Sequence, residues 1–339
     1  EEAISLWDDI LKFGRYGFNR SHSASYAFLT YYTAYLKHNY PVEFFAANLT
    51  QVMGKDDKMR AFITDAKAHD IKLLPPQLGV SKWDFEVKSS DSIVLGLGMI
   101  KGLGKAIAPY LQDIDVASYN NIMEFLVSLP KEPTRQSVLK PLTSSGALDY
   151  FNINRGKLYD SIPSIAKKLQ AYRRKVDSGK EANVPDIDFD SFEPWGKKEI
   201  LKAEKDTLSF FLSGHPLAGK SSLAISIGAM PIKNALELKQ ESNVALLGVI
   251  TNITVKGVKS GKNAGKKYAR VLIEDEHAEI VCMVFTHLYN KVIDKLKHTE
   301  DTSEPVLMIG RVSTENKEPQ LVVKQMYPLS SAPNRNETI

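Results

Sequence analysis

Apolar residues recur at helical spacing along the first two thirds of the chain and alternate with polar ones along the last third. The stretch "SYAFLTYYTAYLKHN" sets Tyr26, Phe28, Leu29, Tyr31, Tyr32, Tyr35 and Leu36 around most of a helical axis. It predicts a helix running from a cap at Ser21 or Ser23 to about residue 39, buried on most sides. Pro41 suits the first position of a second helix over 42–53, and Met59, Phe62, Ile63 and Ala66 mark a third that ends near His69. "LLPP" breaks that pattern, and Trp83, Phe85 and Val87 alternate ahead of "KSSDS" and "IVLGLG", which reads as a hairpin. From Met99 to about Lys175 the spacing is helical again, in short pieces separated at Pro130, Pro133, Gly146 and Gly156. Residues 173–195 are charged and poor in aliphatics, the texture of a linker, and "EKDTLSFFLSGHPL" reads as a short helix stopped at Gly214.

From Asn243 the period drops to two. "VALLGVITNITV", "YARVLIED", "EIVCMVF", "EPVLMIGRVS" and "PQLVVKQMYPL" are strand-like runs, with one helical stretch over 287–296 between the third and the fourth. Five strands with a helix before the fourth is the layout of an OB-fold barrel. The fold class expected is therefore multidomain α+β.

Composition narrows the chemistry. The 339 residues allow two or three domains, and 43% apolar content is enough for real cores. Lys plus Arg number 44 against 40 acidic residues, so the net charge of +4 is mild and only local clustering can argue for a polyanionic partner. The single cysteine, Cys282, excludes a disulfide framework and a Cys-type zinc site, pointing to a reducing, cytoplasmic home. No apolar run approaches the ~18 residues of a membrane span. The acidic start, with neither a signal peptide nor an initiator Met, reads like a piece of something longer.

Two motifs carry binding chemistry. "IKGLGKAIAPYL" has the Gly-hydrophobic-Gly turn of a helix-hairpin-helix: Gly102 and Gly104 let the main chain approach a phosphate, and Lys101 and Lys105 supply charge. "VKGVKSGKNAGKKYARVLI" gathers Lys256, Lys259, Lys262, Lys266, Lys267 and Arg270 in or beside the loop between the first two barrel strands, with Tyr268 among them and no acid. Lysines track a phosphate backbone and an aromatic ring stacks on a base, so this loop is the candidate single-strand site. Asp186, Asp188 and Asp190 alternate in "PDIDFD" and could line one face of a strand, but their neighbours are linker-like and no further carboxylate convincingly joins them; no metal site is expected. Gly214-His215-Pro216 reads as a helix stop rather than a general base, and Cys282 as a small buried hydrophobe.

The succession of pieces resembles the C-terminal part of the bacterial DNA polymerase III alpha subunits, the C-family replicative polymerases. The resemblance rests on "YGFNRSHSASYAFLTYYTAYLKHNYPVEFFAANLT", followed in order by "LLPPQLGVSKWDFEV", "LGLGMIKGLGKAI", "LTSSGALDYFNINRGKL" and "LSFFLSGHPL". It implies the end of the fingers over 1–98, a helix-hairpin-helix domain over 99–172, and a linker with a connecting helix over 173–242. An OB domain over 243–329 and a polar tail over 330–339 complete the layout. It also implies that Arg15, Tyr16, Asn19, Arg20, Ser21 and His22, with Gly17 and Phe18 between them, form a rigid surface near DNA or the incoming nucleotide. In such a family the catalytic aspartates and their Mg2+ ions precede the fingers, so this chain would hold no catalytic residue or cofactor of its own and would be inactive alone. The implied partners are primer-template duplex and single-stranded template, with a sliding clamp and other replisome subunits beyond them. The run containing Ile187, Phe189 and Phe192 lacks the Gln usual in a clamp peptide. A stand-alone, non-enzymatic DNA-binding protein is the rival reading.

Overall fold

The structure, a computed structural model, describes residues 2–16, 19–315 and 318–333, with the side chains of Arg15, Tyr16 and Asp57 outside the description. Two long helices come first, α1 (Glu2–Tyr16) and α2 (Arg20–Asn39). α2 is capped by Asn19, whose side-chain oxygen accepts from the Ser21 amide (3.0 Å) and the Ser21 hydroxyl (2.7 Å), so the cap lies before Ser21 and Ser23. Contrary to expectation, α2 buries nothing. Phe28 and Tyr31 are each 63% exposed, and Trp7 and Phe13 of α1 stand in solvent as well. The aromatic ring around α2 is real, but no other described residue covers it.

The first core begins at α3 (Pro41–Gln51) and α4 (Asp56–Ala68). Pro41 opens α3, and Val42, Phe45, Ala46 and Leu49 bury one stripe at i, i+3, i+4 and i+7. These helices pack with a three-stranded sheet ordered β1 (Lys72–Leu74), β3 (Ser92–Val94), β2 (Glu86–Ser89). The predicted hairpin is the antiparallel β2–β3 pair; β1, parallel to β3, is not legible in "KLL" because one exposed and two half-buried residues give no period to detect.

Short 3-10 turns lead to α5 (Ile122–Ser128), α6 (Gln136–Ser144) and the long α7 (Arg155–Asp177). Gly156 is not a break between helices but part of the first turn of α7, where Trp195 occupies the space a Cβ would need. α7 runs past Arg173, and the segment behind it folds back: Ile187 is buried and Phe189 partly buried in the first core. α8 (Lys197–Leu208) then ends at Ser209, which takes the left-handed conformation (φ 73°), five residues before Gly214. Two short helices, α9 (Ser221–Ser226) and α10 (Ile232–Leu236), complete the connection. It is not loose, because Leu201, Phe211, Leu217, Ile227 and Ala229 pack on Leu247, Val249 and Leu307 of the barrel.

The barrel comprises β4 (Asn243–Gly257), β5 (Lys267–Glu274), β6 (Glu279–Val284), β7 (Pro305–Ser313) and β8 (Gln320–Pro328), with α11 (Thr286–Thr302) between β6 and β7. It closes in the order β4-β5-β6-β8-β7, with β7 back on β4 and the β6–β8 pair parallel. This is the five-stranded OB topology read from the period-two runs. Ala269, Val271 and Ile273 of β5 all point inward and are wholly buried, as is Cys282 of β6.

Candidate nucleic-acid interface

The hairpin between residues 100 and 106 is shaped by its glycines. Gly102 adopts φ +84°, a conformation open to glycine, while Leu103 turns inward and is 7% exposed. Gly104 differs: its φ is −82°, and nothing lies within 4 Å of where its Cβ would stand. The fold makes no demand for glycine there, and what the missing side chain leaves is bare main chain on an exposed turn. The amides of Gly102, Gly104 and Lys105 find no acceptor among the described residues. Three such donors on one exposed turn can cradle an anion. The helix expected behind Gly104 is a 3-10 segment, Lys105–Tyr110, interrupted by Pro109, so the donors come from the turn rather than from an α-helical dipole.

The two flanking lysines differ. Lys105 is exposed. Lys101 is tied down: its ammonium lies 3.3 Å from Asp56 at the start of α4, its amide donates to the Thr207 carbonyl (2.9 Å), and Ser209 donates to the other Asp56 oxygen (2.9 Å). Lys101 thus fixes the hairpin to α4 and to the end of α8, a role its charge gave no means of foreseeing. A second glycine turn, at Gly146, is buried: Ala147 donates to the Leu142 carbonyl (3.0 Å), and the turn closes α6 rather than facing outward.

On the barrel, β4 and β5 extend into the basic loop. Lys256 pairs with Tyr268 and Thr254 with Arg270 on the outward face, opposite the inward Ala269 and Val271. The tip is ordered by main-chain bonds from Val258 to the Lys266 carbonyl (2.8 Å) and from Gly265 to the Val258 carbonyl (3.0 Å). Lys259, Lys262, Lys266 and Lys267 all project from it into solvent, with Lys266 reaching the Asn263 side chain (3.2 Å). Beside them Phe285, 41% exposed, lies 6.4 Å from the Tyr268 ring, centroid to centroid. Sequence reasoning missed Phe285, yet the alternation of β6 would have found it. Ile280, Cys282 and Val284 point in, so position 285 continues the outward set.

The segment expected to form the fingers surface is only partly in view. Gly17 and Phe18 lie outside the described residues. Gly14, Arg15 and Tyr16 belong to the last turn of α1 instead of a loop, and the side chains of Arg15 and Tyr16 are not described. Asn19 caps α2, Arg20 and Ser21 occupy its first turn, and the His22 ring stacks obliquely on Tyr26 at 4.5 Å.

The acidic run gathers no paired carboxylates. Asp186 accepts from its own neighbour Ile187 (2.9 Å), Asp188 from the Asp190 amide (3.1 Å), and Asp190 from the Lys157 ammonium. Among the described residues no cluster of three metal-ligating side chains is present. His215 accepts the Leu217 amide on Nδ1 (3.2 Å), which leaves the proton of the neutral ring on Nε2, 3.7 Å from Glu274 of β5.

Comparison with known proteins agrees with this layout. The helix-hairpin-helix motif family matches residues 70–158. The chain is 30% identical over 330 residues, 96% of its length, to the DNA polymerase III subunit alpha of Aquifex aeolicus. It is 32% identical over 92% of its length to that of Thermus aquaticus, and 31% over 93% to that of Deinococcus radiodurans. The chain belongs to the DNA polymerase III alpha subunit family. It spans about a quarter of the length of these relatives, 27%, 25% and 24% respectively, and corresponds to their C-terminal part. Along this chain the helix-hairpin-helix match precedes the closed five-stranded barrel.

Proposed function

We propose that this chain is the DNA-gripping part of a replicative DNA-directed DNA polymerase, a nucleotidyltransferase of bacterial DNA replication. The observation that carries the reading is Gly104: ordinary φ, open space at its Cβ, and exposed amides that find no acceptor among the described residues. Gly102, Gly104 and Lys105 hold a phosphate of the primer-template duplex, and Lys101 keeps the turn in place. Single-stranded template runs over the outward face of β4 and β5. There Lys256, Lys259, Lys262, Lys266, Lys267 and Arg270 track its backbone, and Tyr268 and Phe285 offer rings to its bases.

Arg20 and His22, with Arg15, Tyr16, Asn19 and Ser21, form the fingers surface that faces DNA or nucleotide in the whole enzyme. The bare aromatic flank of α1 and α2 packs against parts of the polymerase that this chain does not span. Those parts also carry the aspartates and Mg2+ ions of the two-metal reaction, since Asp186, Asp188 and Asp190 each serve a different neighbour here. The whole enzyme acts in the cytoplasm beside a sliding clamp and other replisome subunits. Ile187 and Phe189 are packed in the first core, so their run offers no free peptide to the clamp.

Primer extension tests this reading. With Mg2+, deoxynucleotides and a primed template, the chain alone should shift the template without lengthening the primer, and extension should require a polypeptide bearing the palm. Extension by the chain alone would overturn the division of labour, and failure to shift primed template in about 50 mM salt would overturn the DNA reading.

A further inference from the structure

A groove of about 540 Å³ lies between the turn that leads into α6 and the second half of α7. Its walls carry Lys131, Arg135, Lys167, Arg173 and Arg174, five cations, against a single acid, Asp177. The charges are held, not scattered. Arg173 donates to the Leu129 and Pro130 carbonyls (3.1 and 3.2 Å) and to the Thr134 hydroxyl (2.9 Å), which braces the two walls against each other. Lys167, Gln170 and Arg174 follow at i, i+3 and i+7 on one exposed face of α7, a row about 10 Å long. Lys131, Lys167 and Arg174 make no ion pair among the described residues, and Arg135 has only the exposed Glu132 at 3.6 Å. α6 starts at the same place with no side chain capping its first turn.

A row of unpaired cations has a cost in mutual repulsion that the fold itself does not need, since the buried stripe of α7 (Leu158, Ile162, Ile165, Leu169) lies on its other face. The hairpin at Gly102 touches the same helix α6, with Pro141 3.8 Å from where the Gly102 Cβ would stand, so hairpin and groove are presented by one rigid element.

The geometry points to a second phosphate-backbone site. Beyond the hairpin, the groove between α6 and α7 takes the sugar-phosphate strand of the same duplex, through Lys131, Arg135, Lys167 and Arg174, without reading bases. The inference rests on the DNA-binding reading above. The lining favours a polyphosphate strand over a folded protein partner: it offers no exposed aromatic or large aliphatic anchor, and a sequence-blind backbone contact needs none.

The test is the salt dependence of duplex binding by the full chain, read by fluorescence anisotropy. Each phosphate contact contributes about 0.9 to the slope of log K against log salt. Lys167→Gln with Arg174→Gln should make that slope shallower by about 2 and leave single-strand binding unchanged. Lys131→Gln with Arg135→Gln, on the opposite wall, should act in the same direction and serves should the first pair disturb α7. Lys291→Gln with Lys295→Gln, which removes equal charge from exposed positions of α11, should leave the duplex slope as it is. Wild-type duplex binding with an unaltered slope in both groove variants overturns the groove and leaves the DNA reading standing. A wild type that binds no duplex sinks both. Polyglutamate bound more tightly than duplex, with that binding lost in the groove variants, reassigns the groove to an acidic protein and overturns the proposal.

Discussion

Nη1 of Arg155 lies 2.9 Å from Oε1 of Glu204, and the Glu204 side chain is completely buried. The other Glu204 oxygen accepts from the Leu212 and Ser213 amides (3.0 and 2.8 Å), and Arg155 forks onto Asp149 as well. One ion pair thus ties α7, α8 and the turn leading to the barrel into a unit. Removing one partner leaves a buried charge and two orphaned amides. Glu204→Ala should cost about 3–5 kcal/mol, seen as a lower urea midpoint. A loss below about 1 kcal/mol would mean that the pair does not hold the two halves together.

Lys205 neighbours that clasp and donates to the Ile250 carbonyl of β4 (2.6 Å). Burial holds its ammonium below the usual lysine range, against the pull of Glu300, Glu274 and Asp206. The unfolded chain then keeps this proton to higher pH than the folded one. Stability contributed by the site should rise as pH climbs from the folded-state value towards 10.5. Lys205→Met should flatten that alkaline rise in denaturation midpoints; an identical pH slope in the variant would contradict the assignment.

Cys282 faces the barrel interior with no exposed surface, and burial pushes its thiol up well beyond the ordinary range. It should resist thiol reagents in the native state, and its labelling rate should follow unfolding of the barrel. Rapid labelling of folded protein would show that the barrel opens locally.

Tyr268 and Phe285 stand together outside β5 and β6. If they stack on bases, Tyr268→Ala and Phe285→Ala should each weaken single-strand binding by about 1–3 kcal/mol with little change in its salt slope. Lys259→Gln with Lys262→Gln, Lys266→Gln and Lys267→Gln should instead flatten the slope by up to about 3. Equal effects of both sets on the slope would argue that the rings contribute nothing of their own.

Much of this was legible in the chain. The barrel could be read because buried and half-buried residues alternate along β5 and β6, a period that survives any tertiary context. The hairpin was legible because Gly102 takes the positive φ that the turn requires. Burial of α2 was not, since a helix with apolar residues all round announces the need for a partner without saying where the partner is. The roles of Lys101 and Arg155 were hidden for a related reason. A sequence gives their charge, but not that Asp56 and Glu204, 45 and 49 residues away, are their partners. The groove on α7 escaped because residues from 173 onward read as a linker, so Arg173 and Arg174 were not placed on a helix face beside Lys167.

The central claim is that the bare main chain at Gly104 receives a phosphate, and one substitution isolates it. Gly104→Asp fits the existing φ of −82° and the empty space at the Cβ, so the melting temperature should not move. Its carboxylate would stand where the phosphate is held, so primer-template affinity at low salt should fall at least about tenfold, roughly 1.4 kcal/mol, with single-strand binding intact. An unchanged duplex affinity in a fully folded Gly104→Asp protein would contradict the account.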